Sequence, residues 1–282
     1  MRARVGVVAI VVVSGVAAGL AMAQQPAPRV AAPTVTVNAT PTAVSVAAPG
    51  PIPAGPTRFD FVRPAGTKDL SVYVALLVPG VSLEQLKQTI ARDDRTHGDS
   101  ALGLVSIQAS TSLSRRETHR AVTFDLKPAV TYVVLAEQDA NTTGPPPRAF
   151  TTFASSGDAN GATAPARAAT IRMQGLRFRG SAVLPRNGIV RVRNADGVAH
   201  FALAFPLRKG TTKATLGRAL RGGQRPLARI VAGAPYGVQS VLSGGNTSND
   251  QELHFPRKGR YALLCFIYEH HRLGMYRVVT VK

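Results

Sequence analysis

The sequence predicts an all-β chain: two tandem β-sandwich modules, each with a short helical insertion, following a cleavable leader and an extended linker. Three observations lead there. Short stretches with period-two alternation, Thr170-Ile-Arg-Met-Gln-Gly-Leu-Arg-Phe178 and Gly188-Ile-Val-Arg-Val-Arg193, lie between Gly- and Asn-rich turns such as Asn194-Ala-Asp-Gly197 and Ser243-Gly-Gly-Asn246. One apolar strand motif occurs twice. The 26 Gly and 20 Pro among 282 residues favour turns and extended backbone over long helices.

From the N-terminus, Arg2 and Arg4 precede an apolar run from Val5 to Leu20, and Ala21-Met22-Ala23 has the small-x-small form of a signal-peptidase site. Residues 1–23 are therefore expected to be a signal peptide. With no Cys after the cleavage site, a lipid anchor is not expected. No later stretch is apolar and long enough to span a bilayer, so the mature chain is expected to be secreted, in the periplasm or at a cell surface. Residues 24–56, rich in Pro, Ala, Thr and Val without helical period, read as a disordered linker. Residues 154–168, with Ser-Ser-Gly, Asn-Gly and Ala-Pro, read as a second linker. They divide a first module at 57–153 from a second at 169–282.

The modules read as diverged copies. Tyr73-Val-Ala-Leu-Leu-Val-Pro79 matches His200-Phe-Ala-Leu-Ala-Phe-Pro206, and each Pro is followed by a helical pattern. In the first module Ser82 and Gln85 form a capping box, with Leu83, Leu86 and Ile90 on one face; in the second, Leu216 and Leu220 have i, i+4 spacing. Val130-Thr-Tyr132-Val-Val-Leu-Ala136 then matches Gly259-Arg-Tyr261-Ala-Leu-Leu-Cys265.

The formal charge is +19, which for an exported chain points to an acidic protein partner or an anionic cell-surface polymer; the leader argues against nucleic acid. The same charge also fits an ordinary solvated basic surface. A single Cys excludes an internal disulfide, leaving Cys265 buried and inert, paired with another chain, or bound to metal.

Its surroundings favour metal. Cys265 ends a predicted strand, His270 and Met275 lie on the loop that follows, and a final strand runs out from Met275. His200 opens a strand just after the Asn194–Gly197 turn and can supply a fourth ligand. Taken singly, each of these residues is more often ordinary core. Together, two imidazoles, a thiolate and a weak axial thioether suit copper in both Cu(I) and Cu(II) states. His271, adjacent to His270, is the alternative imidazole, with spacing favouring His270.

The C-terminal segment resembles the copper loop of the cupredoxins, the plastocyanin- and azurin-like type 1 blue-copper proteins. Gly259-x-Tyr261-x3-Cys265 and Met275-x3-Val279-Thr280-Val281 are similar to the strands flanking the plastocyanin copper loop. Cys265-x4-His270 is spaced as in azurin, and Asn194-Ala-Asp-Gly-Val-Ala-His200 resembles the turn before the first copper His. The resemblance covers about the last 110 residues and implies Greek-key sandwiches holding one copper at His200, Cys265, His270 and Met275. It also implies an electron-transfer role with a redox partner protein. Phe201 departs from the polar residue usual after the first His, and Tyr268 and Glu269 depart from the usual loop. In the first module Tyr73 and Ala136 stand at the places of His200 and Cys265, so a copper-free sandwich is expected there. A metal-free binding or structural module at the cell surface, or copper storage or delivery, is the alternative. Catalysis is not expected, because oxidases and nitrite reductases of this fold need further His clusters, often as His-x-His. The six His include no such pair; His97, His119 and His254 have no evident partners.

Overall fold

The structure, a computed structural model, describes residues 30–96, 98–138 and 145–282, apart from the side chain of Gln224. The expected signal peptide and His97 lie outside the described residues. In the first part of the chain run β1 (Thr34–Ala39), β2 (Val44–Ala47), β3 (Ile52–Val62), β4 (Leu70–Leu77), α1 (Leu83–Thr96), β5 (Val105–Leu113), β6 (His119–Leu126), β7 (Thr131–Gln138) and β8 (Arg148–Ala159). There follow β9 (Ala169–Met173), β10 (Phe178–Gly180), β11 (Val183–Leu184), β12 (Asn187–Asn194), β13 (His200–Pro206), α2 (Lys213–Arg221) and α3 (Gln224–Ile230). The chain closes with β14 (Gln239–Leu242), β15 (Ser248–His254), β16 (Gly259–Leu264) and β17 (Tyr276–Val281).

The fold is all-β, and its strands form two sheets. The larger follows the order β10-β9-β12-β15-β6-β3-β8-β7-β4-β5, with β1 against β3 and β2 against β1; the smaller is β11-β17-β16-β13-β14. Period-two patterning explains the layering. In β12 Val190, Val192 and Asn194 are buried, while Ile189, Arg191 and Arg193 are less so. One core gathers residues between Val35 and Phe153, including Phe59, Phe61, Phe124 and Tyr132. A second gathers residues between Ala169 and Val281, including Ile171, Phe255, Tyr261 and Cys265.

Two of the helices, α1 and α2, start where hydroxyl caps place them. Ser82 N–H donates to Gln85 Oε1 at 2.7 Å, and Gln85 N–H donates to Ser82 Oγ at 3.1 Å, closing the expected capping box before α1. Leu86 is buried beneath it. Thr212 and Thr215 cap α2 in the same way, and Leu216 and Leu220 are buried on its inner face.

Four expectations are corrected. Residues 24–56 are not one disordered tether: β1, β2 and the start of β3 fall within them. Thr34-Val-Thr-Val-Asn-Ala39 alternates, burying Val35, Val37 and Ala39, and Val/Thr-rich segments favour strands once one face is packed. The 154–168 linker is shorter than expected, because β8 continues to Ala159 and anchors Ser155, whose Oγ donates to Lys127 O at 2.5 Å. The alternating run 170–178 is two strands, broken by a turn at Gly175 and Leu176, both in the left-handed region (φ 60° and 53°). The second module carries two helices rather than one.

The two halves are also not separate beads. β6 and β15 pair through Asp250↔Thr123 and Gln251↔Val122, making the larger sheet continuous. Beside this pairing, Val241 N–H donates to Ser110 Oγ at 2.6 Å and Ile107 N–H donates to Ser243 Oγ at 2.8 Å, both buried. Buried amides that would otherwise lack partners are satisfied across the boundary.

Candidate metal centre

Strand pairing sets up the site. β13 lies between β14 and β16, with His200 opposite Leu242 and Leu203 opposite Leu264; β16 pairs with β17 in an antiparallel ladder from Gly259↔Val281 to Leu264↔Tyr276. The start of β13, the end of β16 and the start of β17 therefore lie at one end of the smaller sheet. Cys265 follows β16 directly and Met275 precedes β17.

The connecting loop is tight. Cys265 N–H donates to Met275 O at 3.4 Å, His271 N–H to Cys265 O at 2.8 Å, and Met275 N–H to His270 O at 2.9 Å. Tyr268 and Glu269 both adopt positive φ, 47° and 55°, inside a short 3-10 turn. Left-handed backbone at non-glycine residues costs energy and persists only where the surroundings enforce it. Here it turns the chain so that the next residue, His270, points back toward Cys265.

Three donors converge. His200 Nδ1 lies 3.1 Å from His270 Nδ1, Cys265 Sγ lies 3.6 Å from His270 Nδ1, and Sγ lies 4.0 Å from His200 Nδ1. A point equidistant from the three lies about 2.1 Å from each, within the roughly 2.0–2.3 Å of nitrogen and thiolate bonds to zinc. An ion thus fits at the centre of the triangle without moving the donors. His200, Cys265 and Met275 are fully buried, and His270 is 6% exposed. Met275 packs in the same core cluster as Cys265, and its backbone bonds to both Cys265 and His270. A soft sulfur with two imidazoles is a donor set suited to copper.

Neighbouring groups orient the donors. Asp196 Oδ2 lies 2.7 Å from His200 Nε2; a carboxylate accepts, so Nε2 carries the proton and Nδ1 presents its lone pair to the centre. Asp196 is itself held, its Oδ1 accepting from Gly175 N–H at 2.8 Å. Asn194 braces the turn, its Nδ2 donating to the carbonyls of Val198, Leu242 and Ser243 and its Oδ1 accepting from Asp196 N–H. Phe201 N–H donates to Cys265 Sγ at 3.2 Å.

Electrostatics suit metal uptake. Burial lowers the pKa of His200, against the opposing pull of Asp196, and burial with the nearby His200 lowers that of His270. Both rings are thereby kept neutral and able to ligate. Burial raises the Cys265 thiol, partly offset by the N–H groups of Phe201 and Ile267, so metal binding displaces a proton. Burial opposes ionisation of Asp196, but the Gly175 N–H and the His200 ring outweigh it and hold its pKa low.

His271 is not part of the triangle. Its ring lies against Phe266, centroids 4.9 Å apart, and its Nδ1 is buried without a partner. His119 is exposed, with Nε2 3.6 Å from Asp60, and His254 is exposed at the end of β15. Among the described residues, the only group of three or more His, Cys, Asp or Glu side chains able to share an ion is His200, Cys265 and His270. Sequence reasoning missed Asp196. Its signal was available: an acidic residue four before His200, in a turn that brings the two side chains together. It also treated Phe201 as a departure, whereas the bond to Cys265 comes from a backbone N–H that any residue except Pro provides.

No protein-family model and no curated protein matches the chain. Among solved structures it is similar to auracyanin A of the green thermophilic photosynthetic bacterium Chloroflexus aurantiacus, a "blue" copper protein. That likeness has 20% identity over 40% of this chain and 96% of that one, with TM-score 0.28. Similar too is the auracyanin of Roseiflexus castenholzii, at 17% identity over 40% of this chain and 94% of that one, TM-score 0.27. The copper nitrite reductase of Nitrosomonas europaea aligns at 13% identity over 88% of this chain and 93% of that one, TM-score 0.24. The last finding corrects one expectation. Catalysis is not expected from the sequence for want of further His clusters, yet solved structures that align over most of the chain include an enzyme's, and the expectation of a non-enzymatic chain is withdrawn. Among the described residues no helix is long and apolar enough to cross a membrane.

Proposed function

We propose that this chain is an exported copper protein that passes electrons through one type 1 centre, with His200, Cys265, His270 and Met275 as its ligands. The observation that carries this reading is the convergence of two imidazole nitrogens and one thiol sulfur, from β13 and from the β16–β17 loop, at spacings that accept a single ion. Copper, when bound, would supply one-electron chemistry between Cu(I) and Cu(II).

The chain's own residues do the rest. Asp196 fixes the tautomer and angle of His200. The Phe201 N–H stabilises negative charge on Cys265 Sγ. Burial of the donors excludes water, and strands on either side hold them nearly still as the charge changes. His270 reaches closest to the surface, with the exposed Tyr268 ring beside it, centroids 5.7 Å apart, and marks the exit for the electron. A net charge of +19 would steer an acidic redox partner and hold the protein near anionic surface polymers. The leader at residues 1–23 supports export to the periplasm or cell surface.

The test is to add Cu(II) to the purified chain and record its visible spectrum. The reading expects an intense thiolate-to-copper band that is absent in Cys265→Ser. Tight Cu(I) binding without reversible redox cycling would instead mark storage or delivery.

A further inference from the structure

Between α1, the face of β4 and β7, and the loop leading into β5 lies a cavity of about 350 Å³. Its deep wall is apolar: Ala75, Leu86, Ile107, Val133 and Val241 are all buried, yet all line open space. The space opens to solvent on the side of Gly98 and Asp99, and its apolar lining forfeits the dispersion contacts that a filled space would give it. Small-molecule sites are commonly spaces of this size and character at the junction of two modules.

Its charged lining is one-sided. Four carboxylates, Asp93, Asp94, Asp99 and Glu137, meet one guanidinium, Arg148, in a chain whose net charge is +19. Arg148 is already engaged, its Nη2 donating to Asp94 Oδ1 at 2.8 Å and its Nε to Glu137 Oε2 at 2.7 Å. Burial alone would lower its pKa, but these two carboxylates outweigh that and raise it, so it stays charged and bound to them. Asp93 accepts from Ala101 N–H at 2.7 Å. Asp99 is exposed at the rim, and its side chain makes no ion pair among the described residues. The carboxylates thus outnumber the guanidinium around an apolar space.

We propose that this cavity binds an apolar cation, an amine or quaternary ammonium carrying a hydrocarbon or single aromatic group. The apolar part fills the space beneath α1 and the cationic head sits at the rim with Asp99. The site goes beyond the copper reading and does not depend on it, but the two share a wall. Phe201 and Ile267 line the cavity, and Phe201 N–H bonds to Cys265 Sγ. Occupancy would therefore be felt at the thiolate.

Calorimetric titration of the metal-free full chain with 4-phenylbutylammonium, 4-phenylbutanol and 5-phenylpentanoate tests this. The cation is expected to bind about tenfold tighter than the alcohol, and the carboxylate most weakly, as one charge near carboxylates at the protein surface implies. Ala101→Phe and Leu102→Trp, which enlarge lining residues on the open side, should each weaken the cation by about tenfold or more, with the melting transition confirming that each variant folds. Asp99→Asn should narrow the gap between cation and alcohol. Absence of saturable binding, equal affinity for cation and alcohol, or binding unchanged in both enlarged variants would overturn the proposal. In copper-loaded protein the cation should shift the Cys265 absorption band. A chain that takes the cation but shows no such band with copper would uphold the cavity site and overturn only the electron-transfer reading.

Discussion

The two halves of this chain place similar strands in similar company and put different chemistry at their ends. In the first, β4 lies between β5 and β7; in the second, β13 lies between β14 and β16. The first stacks apolar and aromatic side chains, with Phe59 and Phe124 centroids 4.7 Å apart and Tyr132 and Phe153 5.1 Å apart. Tyr73 lies within β4 opposite Leu135, and Val72 is opposite Ala136. In the second, His200 opens β13 and Cys265 directly follows β16. The same strand arrangement thus carries different side chains at its ends. What a site adds is a local arrangement: a strained loop at Tyr268 and Glu269, a carboxylate behind one imidazole, and two neutral His rings buried side by side. These features cost stability in the metal-free chain, a cost expected in the second half and not in the first.

The largest effect belongs to the adjacent imidazoles. His270→Gln should abolish stable copper binding, while His271→Gln should retain it, as read by metal analysis after gel filtration; the wild-type chain should carry one copper. Two coppers per chain would break the contrast between the halves. Next is Asp196→Ala, which leaves the donors in place but frees the His200 ring. Loss of such an outer carboxylate typically weakens metal affinity about 10–100-fold, measurable by competition with a chelator.

Stability against pH separates the halves in the metal-free protein. His200 and His270 have pKa values below the unfolded 6.5, so the unfolded chain binds more protons and stability falls as pH drops from about 6.5 through the folded values. Cys265 has a pKa raised above 9.0, so the folded state holds its proton longer, and stability falls as pH rises above about 9. Denaturant unfolding between these limits and beyond them should show both losses; Cys265→Ser should remove the alkaline one and His200→Gln should reduce the acid one. Smallest is Ser110→Ala at the seam. It leaves the Val241 N–H buried without its 2.6 Å partner and should cost about 1–3 kcal/mol of stability while leaving copper affinity unchanged.

What was legible in the sequence follows from how local each signal is. Alternation in 188–193 and the capping box at Ser82 act over a few residues and reappear in β12 and α1. The candidate ligands stood out because His, Cys and Met are scarce, and the structure brings His200, Cys265 and His270 within reach of one ion. β1 was hidden because its alternation lies in a Pro- and Ala-rich stretch whose overall composition is that of a tether. The β6–β15 pairing was invisible because neither strand encodes its partner. Asp196 stood four residues before His200 in a predicted turn, but an acidic residue in a turn is common, and only the folded turn shows it bonded to the ring. The cavity beside Phe201 depends on a gap between α1 and the sheet, which no run of residues specifies.

The most direct test of the central claim is X-ray absorption at the copper edge of the loaded chain. The account predicts one short sulfur bond and two nitrogen bonds to a single copper, with the sulfur lost in Cys265→Ser. A copper surrounded only by nitrogen and oxygen, or the same spectrum in that variant, would show that the thiol and the two imidazoles do not share an ion.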